Sequence, residues 1–327
     1  MKDTKLQKAI GEIKKKYGDI IFTGKDIEKL EIEKISTGSR WLDFSLEGGL
    51  PRGRTVELYG PPSSGKSLVA QRAIAEAQKQ KLDCIWVDAE NAWDSEFAEK
   101  LGVNTKKLII VKASEGELIF NTIEKLLKAR PGVIVIDSVA SLVPIFEEEN
   151  PIEKQTMALQ ARLMSKALRK ITGQIARANT LLIFINQIRE KVTSYGNPEI
   201  TSGGRALGFY ASVRIEVRKG DWITQEDIGK GETLEERKRK VGQVVKFNVT
   251  KSKVSRPHRN GFFRFFYEGK IDEADELLSL LLYQRKIERH GAIYLIGGKK
   301  YRGRTNLKKA IEEDKKLKKE LINLLHK

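Results

Sequence analysis

The sequence predicts an α/β protein: a mostly parallel, twisted sheet flanked by helices, with a helix/strand arm before it and a small α+β segment after it. Three observations carry that expectation. Val133-Ile134-Val135-Ile136 and Leu181-Leu182-Ile183-Phe184-Ile185 are short unbroken apolar runs, the form taken by strands covered on both faces. Helical patterns alternate with such runs, which is the signature of a doubly wound sheet with ligands at the carboxyl ends of its strands. Finally, Val56-Glu57-Leu58-Tyr59 leads through a glycine-bounded loop into a helix with apolar positions Leu68, Val69, Ala73 and Ile74.

Taken in order, residues 4–17 place Leu6, Ala9, Ile10, Ile13 and Tyr17 on one helical face, to be covered by the same domain or by a neighbouring subunit. Residues 20–22 and 32–35 lead to Ser36-Thr37-Gly38-Ser39 and a glycine-punctuated approach to the loop. Strands are expected at 83–87, 108–111, 133–136 and 181–187, and helices at 93–102, 116–129 and 155–178. Residues 146–151 read as a loop, and 189–205 as a long polar loop of the kind that is usually functional.

Residues 212–217 and 243–250 read as strands joined by a charged connection, with Lys251-Ser252-Lys253 following the second. Residues 261–267 form an aromatic strand, whose rings either pack in the core or stack on bases. Beyond Ile271 come a helix at 272–284, a short strand at 293–296 and a lysine-rich helix at 307–325. The expected division is an arm at 1–33, a core at 34–269 and a small C-terminal domain at 270–327.

Composition narrows the classes. The 327 residues can bury a substantial core without staples. One cysteine, Cys84, excludes a disulfide framework and reads as a small apolar strand residue. No run reaches membrane-spanning length and the N-terminus lacks the apolar centre of a signal peptide, so the expected location is cytoplasmic. Sixty-one Lys and Arg against forty-four Asp and Glu leave a formal charge of +17. Such an excess favours a polyanionic partner, although lysine-rich surfaces also occur without one.

Chemistry concentrates at the loop. Gly60, Pro61, Pro62, Ser63, Ser64, Gly65, Lys66 and Ser67 fit GxxxxGK[ST] between a strand and a helix. Backbone N–H groups and the helix N-terminus would cradle a triphosphate, Lys66 would reach its β and γ oxygens, and Ser67 would ligate Mg²⁺. Asp137 ends the 133–136 run, where a second metal-associated acid is needed; a helix cap is the alternative. Glu90, at another strand tip, could deprotonate a water for attack on the γ-phosphorus or be a plain surface acid.

At this point a family resemblance is clear. Residues 35–39, GGLPRGRTVELYGPPSSGKS from Gly48, DAENAWD from Asp88, VIVIDSVASL from Val133, NTLLIFINQIR from Asn179, GNPEITSGG from Gly196 and FYASVR from Phe209 occur in one order. Together they resemble the bacterial RecA recombinases over roughly residues 1–300. The resemblance implies a RecA-type P-loop ATPase core, with ATP and Mg²⁺ bound. It implies that Glu90 is the catalytic glutamate, Asp137 the Mg²⁺-associated aspartate, Asp94 a neighbour of the adenine, and Gln187 the sensor of the γ-phosphate.

It also implies two DNA-binding loops, near 146–157 and 189–204, with Ile152, Met157, Arg162, Arg189, Val192, Tyr195, Gly203 and Gly204 as contact residues. Lys251 and Lys253 match a lysine pair that reaches a neighbour's ATP, and Phe209 an interface position. The implied activity is DNA-dependent ATP hydrolysis by a helical filament on single-stranded DNA, with homologous pairing to double-stranded DNA and strand exchange. Promotion of self-cleavage of a LexA-type repressor in the SOS response is implied as well. A regulatory filament without strand exchange and a hexameric motor on the same fold are the alternatives. Ser194-Tyr195, a second loop one residue short, Gly208 in place of a lysine and the basic ending LKKELINLLHK depart from the family pattern. The last implies weaker restraint of duplex binding than an acidic tail would give.

Overall fold

The computed structural model describes residues 5–18, 21, 32–148, 159–190, 199–296 and 298–325. Residues 34–327 form one compact unit, and residues 1–33 are a second, in which helix α1 runs over Lys5–Tyr17.

The main sheet has nine strands in one path. Its parallel part is β9 (Val213–Thr224), β3 (Thr55–Gly60), β7 (Leu181–Glu190), β6 (Val133–Asp137), β4 (Cys84–Asp88) and β5 (Ile109–Lys112). The antiparallel strands β10 (Lys240–Ser252), β11 (Asn260–Phe266) and β12 (Lys270–Ile271) extend it beyond β9. The apolar runs lie at its centre because both faces are covered. Val133, Val135, Leu181, Ile183 and Ile185 point into one core layer, whereas Ile134, Ile136, Leu182 and Phe184 point into the other.

Helix α3 (Lys66–Lys79) closes the first layer with Leu68, Val69, Ala70, Ala73, Ile74 and Ala77. Helix α7 (Leu159–Ala178) closes the second with Leu163, Met164, Ala167, Leu168, Ile171 and Ile175, the spacing of an apolar stripe. Each such Ile or Leu contributes roughly 1.5–3 kcal/mol relative to exposure, which fixes the strand tips that carry the polar residues. A third cluster, with Leu277, Leu281, Tyr294, Leu307 and Leu321, joins the C-terminal helices to a three-stranded antiparallel sheet over residues 288–302.

Four local expectations change. Strand β7 continues past Gln187 to Glu190 and pairs with β8 (Glu199–Thr201), so the ends of the long polar loop form a hairpin. Strands β9 and β10 are far longer than their apolar cores suggested, and Lys251 lies inside β10. Their outward positions are charged, and Lys219 and Lys240 sit over the Trp222 ring at 3.2 and 4.2 Å. Ile145–Glu148 is a helical turn where a loop was expected, its first N–H bonded to Glu117. The C-terminal helix is two helices, Arg304–Glu313 and Lys315–Leu325, because extended Asp314 accepts the Lys316 and Leu317 N–H groups and starts a new one.

Candidate active site

The phosphate loop leaves β3 at Gly60, where backbone and backbone nearly touch: a Cβ there would lie 2.0 Å from the Val217 carbonyl oxygen. Gly65, at the N-cap of α3, has φ +101°, a left-handed conformation that only glycine takes without strain. Pro62 and Ser63 are exposed and Pro61 half-buried, while Ser64 is buried with a hydroxyl that has no hydrogen-bond partner. The concave backbone and the fourteen-residue helix behind it suit a polyphosphate.

Four strand tips meet at this helix N-terminus. Ser67 Oγ donates to Asp137 Oδ2 across 2.9 Å, joining α3 to the end of β6. Burial pushes the Asp137 carboxyl up to about 6; the Glu90 charge adds to the rise, and the Ser67 bond and Lys66 oppose it. Lys66 Nζ donates to the Gly60 and Pro61 carbonyls at 3.1 and 2.7 Å. Burial lowers its pKa, against the pull of Asp137 and Glu90. Hydroxyl and carboxylate oxygens in contact form a hard donor pair that fits Mg²⁺, which keeps waters and phosphate oxygens for its remaining positions. Among the described residues no group of three or more His, Cys, Asp or Glu is arranged to hold a metal.

Glu90 stands on the turn after β4, and its carboxylate accepts from two strand-tip side chains. Ser138 Oγ donates to Glu90 Oε1, and Gln187 Nε2 donates to the same oxygen across 3.0 Å. Asp88 shapes this turn by accepting the Ala92 and Trp93 N–H groups. Ala89 and Glu90 N–H groups both reach the Asp137 carbonyl. The sequence reading missed Asp88 and Ser138, although both lie in the motifs it singled out.

Asp94 is exposed and caps the helix Ser95–Lys100 by accepting the Phe97 N–H at 3.0 Å. Lys251 Nζ donates to the Gly208 and Phe209 carbonyls at 2.7 and 3.0 Å, at the short helix α8 (Ala206–Tyr210). Burial and the charges of Lys253 and Arg214 lower its pKa. Lys253 is exposed, and Phe209 is 72% exposed.

Of the DNA-contact candidates, Arg162 is exposed on the first turn of α7. Arg189 lies in β7 opposite Ile200, and Gly203 and Gly204 turn the chain after β8 with positive φ. Ile152, Met157, Val192 and Tyr195 lie outside the described residues. Gln160, not foreseen, joins the roots of both loops: its amide nitrogen donates to the Val139 and Leu142 carbonyls, and its oxygen accepts the Gly203 N–H.

A phosphate loop at the carboxyl end of a central parallel strand, with a Ser–Asp pair and a glutamate at neighbouring strand tips, defines a P-loop ATPase. Residues 4–272 match the RecA N-terminal domain family. The chain is 42% identical over 320 residues to Protein RecA of Ectopseudomonas oleovorans, covering 96% of this chain and 88% of that protein. It belongs to the RecA family, whose members are DNA-dependent ATPases of homologous recombination. Among the described residues no helix is long and apolar enough to cross a membrane.

Proposed function

We propose that this protein hydrolyses ATP at the loop from Gly60 to Ser67 as a filament on single-stranded DNA, and that the filament catalyses pairing and strand exchange with a homologous duplex. The observation that carries the residue assignments is the convergence of Ser67, Asp137, Glu90 and Gln187 at one helix N-terminus. In this reading the backbone of 60–65 and Lys66 bind the phosphates. Ser67 and Asp137 would hold Mg²⁺, which would supply charge neutralisation for the phosphates.

Glu90 takes a proton from the attacking water. Ser138 and Gln187 fix its carboxylate by donating to one oxygen, which leaves the other, Oε2, for that water. Gln187 is then the residue that can exchange a bond to Glu90 for one to a γ-phosphate, and it lies on the strand that becomes the second loop. Lys251 and Lys253 are assigned to the ATP of an adjoining subunit, with Phe209 at the same interface. Asp94 is assigned to the adenine side. Residues 270–327 are read as a small C-terminal domain within the compact unit of residues 34–327, and a LexA-type repressor is the further partner of the filament.

Strand exchange tests the proposal. The protein should show ATP hydrolysis stimulated by single-stranded DNA and should form joint molecules from matched, not mismatched, duplexes. Stimulated hydrolysis and filaments without joint molecules would leave a regulatory scaffold as the function.

A further inference from the structure

Glu57 is an acid in the middle of β3 and is fully buried, at 0% exposure. Its oxygens have different partners. Arg214 Nε donates to Oε2 across 2.5 Å, and Asn186 Nδ2 donates to Oε1 across 2.9 Å. The Asn186 amide is then used completely. Nδ2 also donates to the Ser202 carbonyl at 3.0 Å, and Oδ1 accepts the Gln187 N–H at 2.9 Å. The Ser202 N–H closes the ring on the Gln187 carbonyl at 3.3 Å. Gln187 is therefore gripped at both backbone groups, and the same amide pins the return limb of the second loop.

An amide can sit either way round in a cavity of its shape, because its nitrogen and oxygen ends differ little in size. Here only one orientation serves. Reversal would turn Oδ1 toward the Ser202 carbonyl and Nδ2 toward the Gln187 N–H, oxygen against oxygen and donor against donor. The Ser202 carbonyl and the Gln187 N–H oppose reversal, and the Glu57 carboxylate, paired with Arg214, adds a third and charge-assisted bond to the same orientation. Core packing gives no comparable reason for an acid, since a buried ion pair is often replaced by hydrocarbon with no loss of stability.

We propose that Glu57 is a positioning residue that orients Asn186 and so couples Gln187 to the second loop. Arg214 holds one carboxylate oxygen of Glu57, Asn186 transmits the orientation set at the other, and Gln187 and Ser202 move as one unit. This rests on the DNA-dependent ATPase reading.

The test is Glu57→Gln, assayed for ATP turnover with and without single-stranded DNA and for melting temperature. Turnover without DNA and the KM for ATP should stay within about threefold, because the variant does not touch the phosphate loop. The kcat with DNA should fall by roughly 10- to 100-fold, the cost of a reacting group misplaced by a fraction of an ångström to an ångström. Equal loss of both rates with a lower melting temperature would overturn the inference, as would full DNA stimulation in the variant. If Glu57→Gln does not fold, Glu57→Gln/Arg214→Met removes both charges and should show the same selective loss; full stimulation there overturns the inference as well. Lack of DNA stimulation in the unsubstituted protein would instead remove the underlying reading, and the inference with it.

Discussion

Gln187 donates to Glu90 across 3.0 Å, and so ties β7, at the residue paired with Gly60, to the turn after β4. Both side chains stand where the sheet ends and α3 begins. Glu90→Gln keeps an amide oxygen for Ser138 and Gln187 to bond, but it removes the proton acceptor. ATP turnover with DNA should fall by roughly 10²- to 10⁴-fold, the usual contribution of a general base. ATP-dependent assembly on single strands, followed by light scattering, should persist. Turnover at the original rate in this variant would remove Glu90 from the chemistry.

Lys251 bonds to the carbonyls of Gly208 and Phe209 in its own chain, at the helix that exposes Phe209. In the proposed reading this lysine acts on the ATP of an adjoining subunit. Lys251→Ala should therefore lower DNA-stimulated turnover by about 10³-fold, the low end of what a transition-state cation supplied in trans contributes. ATP affinity of the dispersed protein should not change, since the phosphate loop is intact. Mixing Lys251→Ala with a Lys66→Ala variant gives the decisive measurement. Interfaces that join an intact loop to an intact lysine would recover activity, and no recovery at any ratio would count against action across subunits.

The parts of this chain that could be read in advance are those where one physical demand dominates. Val133 to Ile136 must be apolar because both faces of β6 are covered, and Gly60 and Gly65 must be glycine because backbone crowds one and φ excludes a side chain at the other. Where two demands share a segment, the pattern fails. The β9 and β10 strands mix buried alternate positions with charged outward ones, so their apolar centres look short. Asp314 breaks a lysine-rich amphipathic run by capping the second half, a role that composition does not reveal.

The site divides in the same way. Residues on the loop and at the strand tips stand in recognisable spacing, whereas Glu57, Asn186 and Gln160 act through partners distant in sequence. Glu57 did leave one local sign, an acid inside an otherwise apolar strand.

Glu276 reaches from the first turn of the helix Glu273–Tyr283 to the N-terminus of the helix Arg40–Ser45, where its carboxylate accepts from Ser39 Oγ and from the Arg40 and Trp41 N–H groups. Burial pushes its pKa up to about 7, against these bonds. The folded state thus holds a proton that the unfolded chain releases near the ordinary glutamate value of about 4.3. Stability from this group is complete below that value and is lost as pH rises through about 7. Over that range the loss amounts to about 4 kcal/mol at most. Buried Asp43, also raised by burial, acts in the same direction. Urea midpoints at pH 5 and pH 8 should differ more for the parent than for Glu276→Gln, which cannot ionise. Equal differences would place the pH dependence elsewhere.

The Ser67–Asp137 pair has a pH dependence of the opposite sign for function. A carboxyl that titrates at about 6 is partly protonated in mildly acidic solution, and a protonated carboxyl is a poor partner for Mg²⁺. The Mg²⁺ concentration for half-maximal ATP hydrolysis should therefore rise as pH falls from 7.5 to 5.5, approaching about tenfold per pH unit at the acidic end. Part of any such rise belongs to protonation of the nucleotide itself, so the variant carries the argument. Asp137→Asn should need more Mg²⁺ at every pH but show the smaller change with pH, because only the nucleotide still titrates. Ser67→Ala should raise the requirement and keep a steep profile, displaced to higher pH, since the hydroxyl bond that lowers the Asp137 pKa is gone. Parallel profiles for the parent and Asp137→Asn would mean that Asp137 does not act through its charge at the metal.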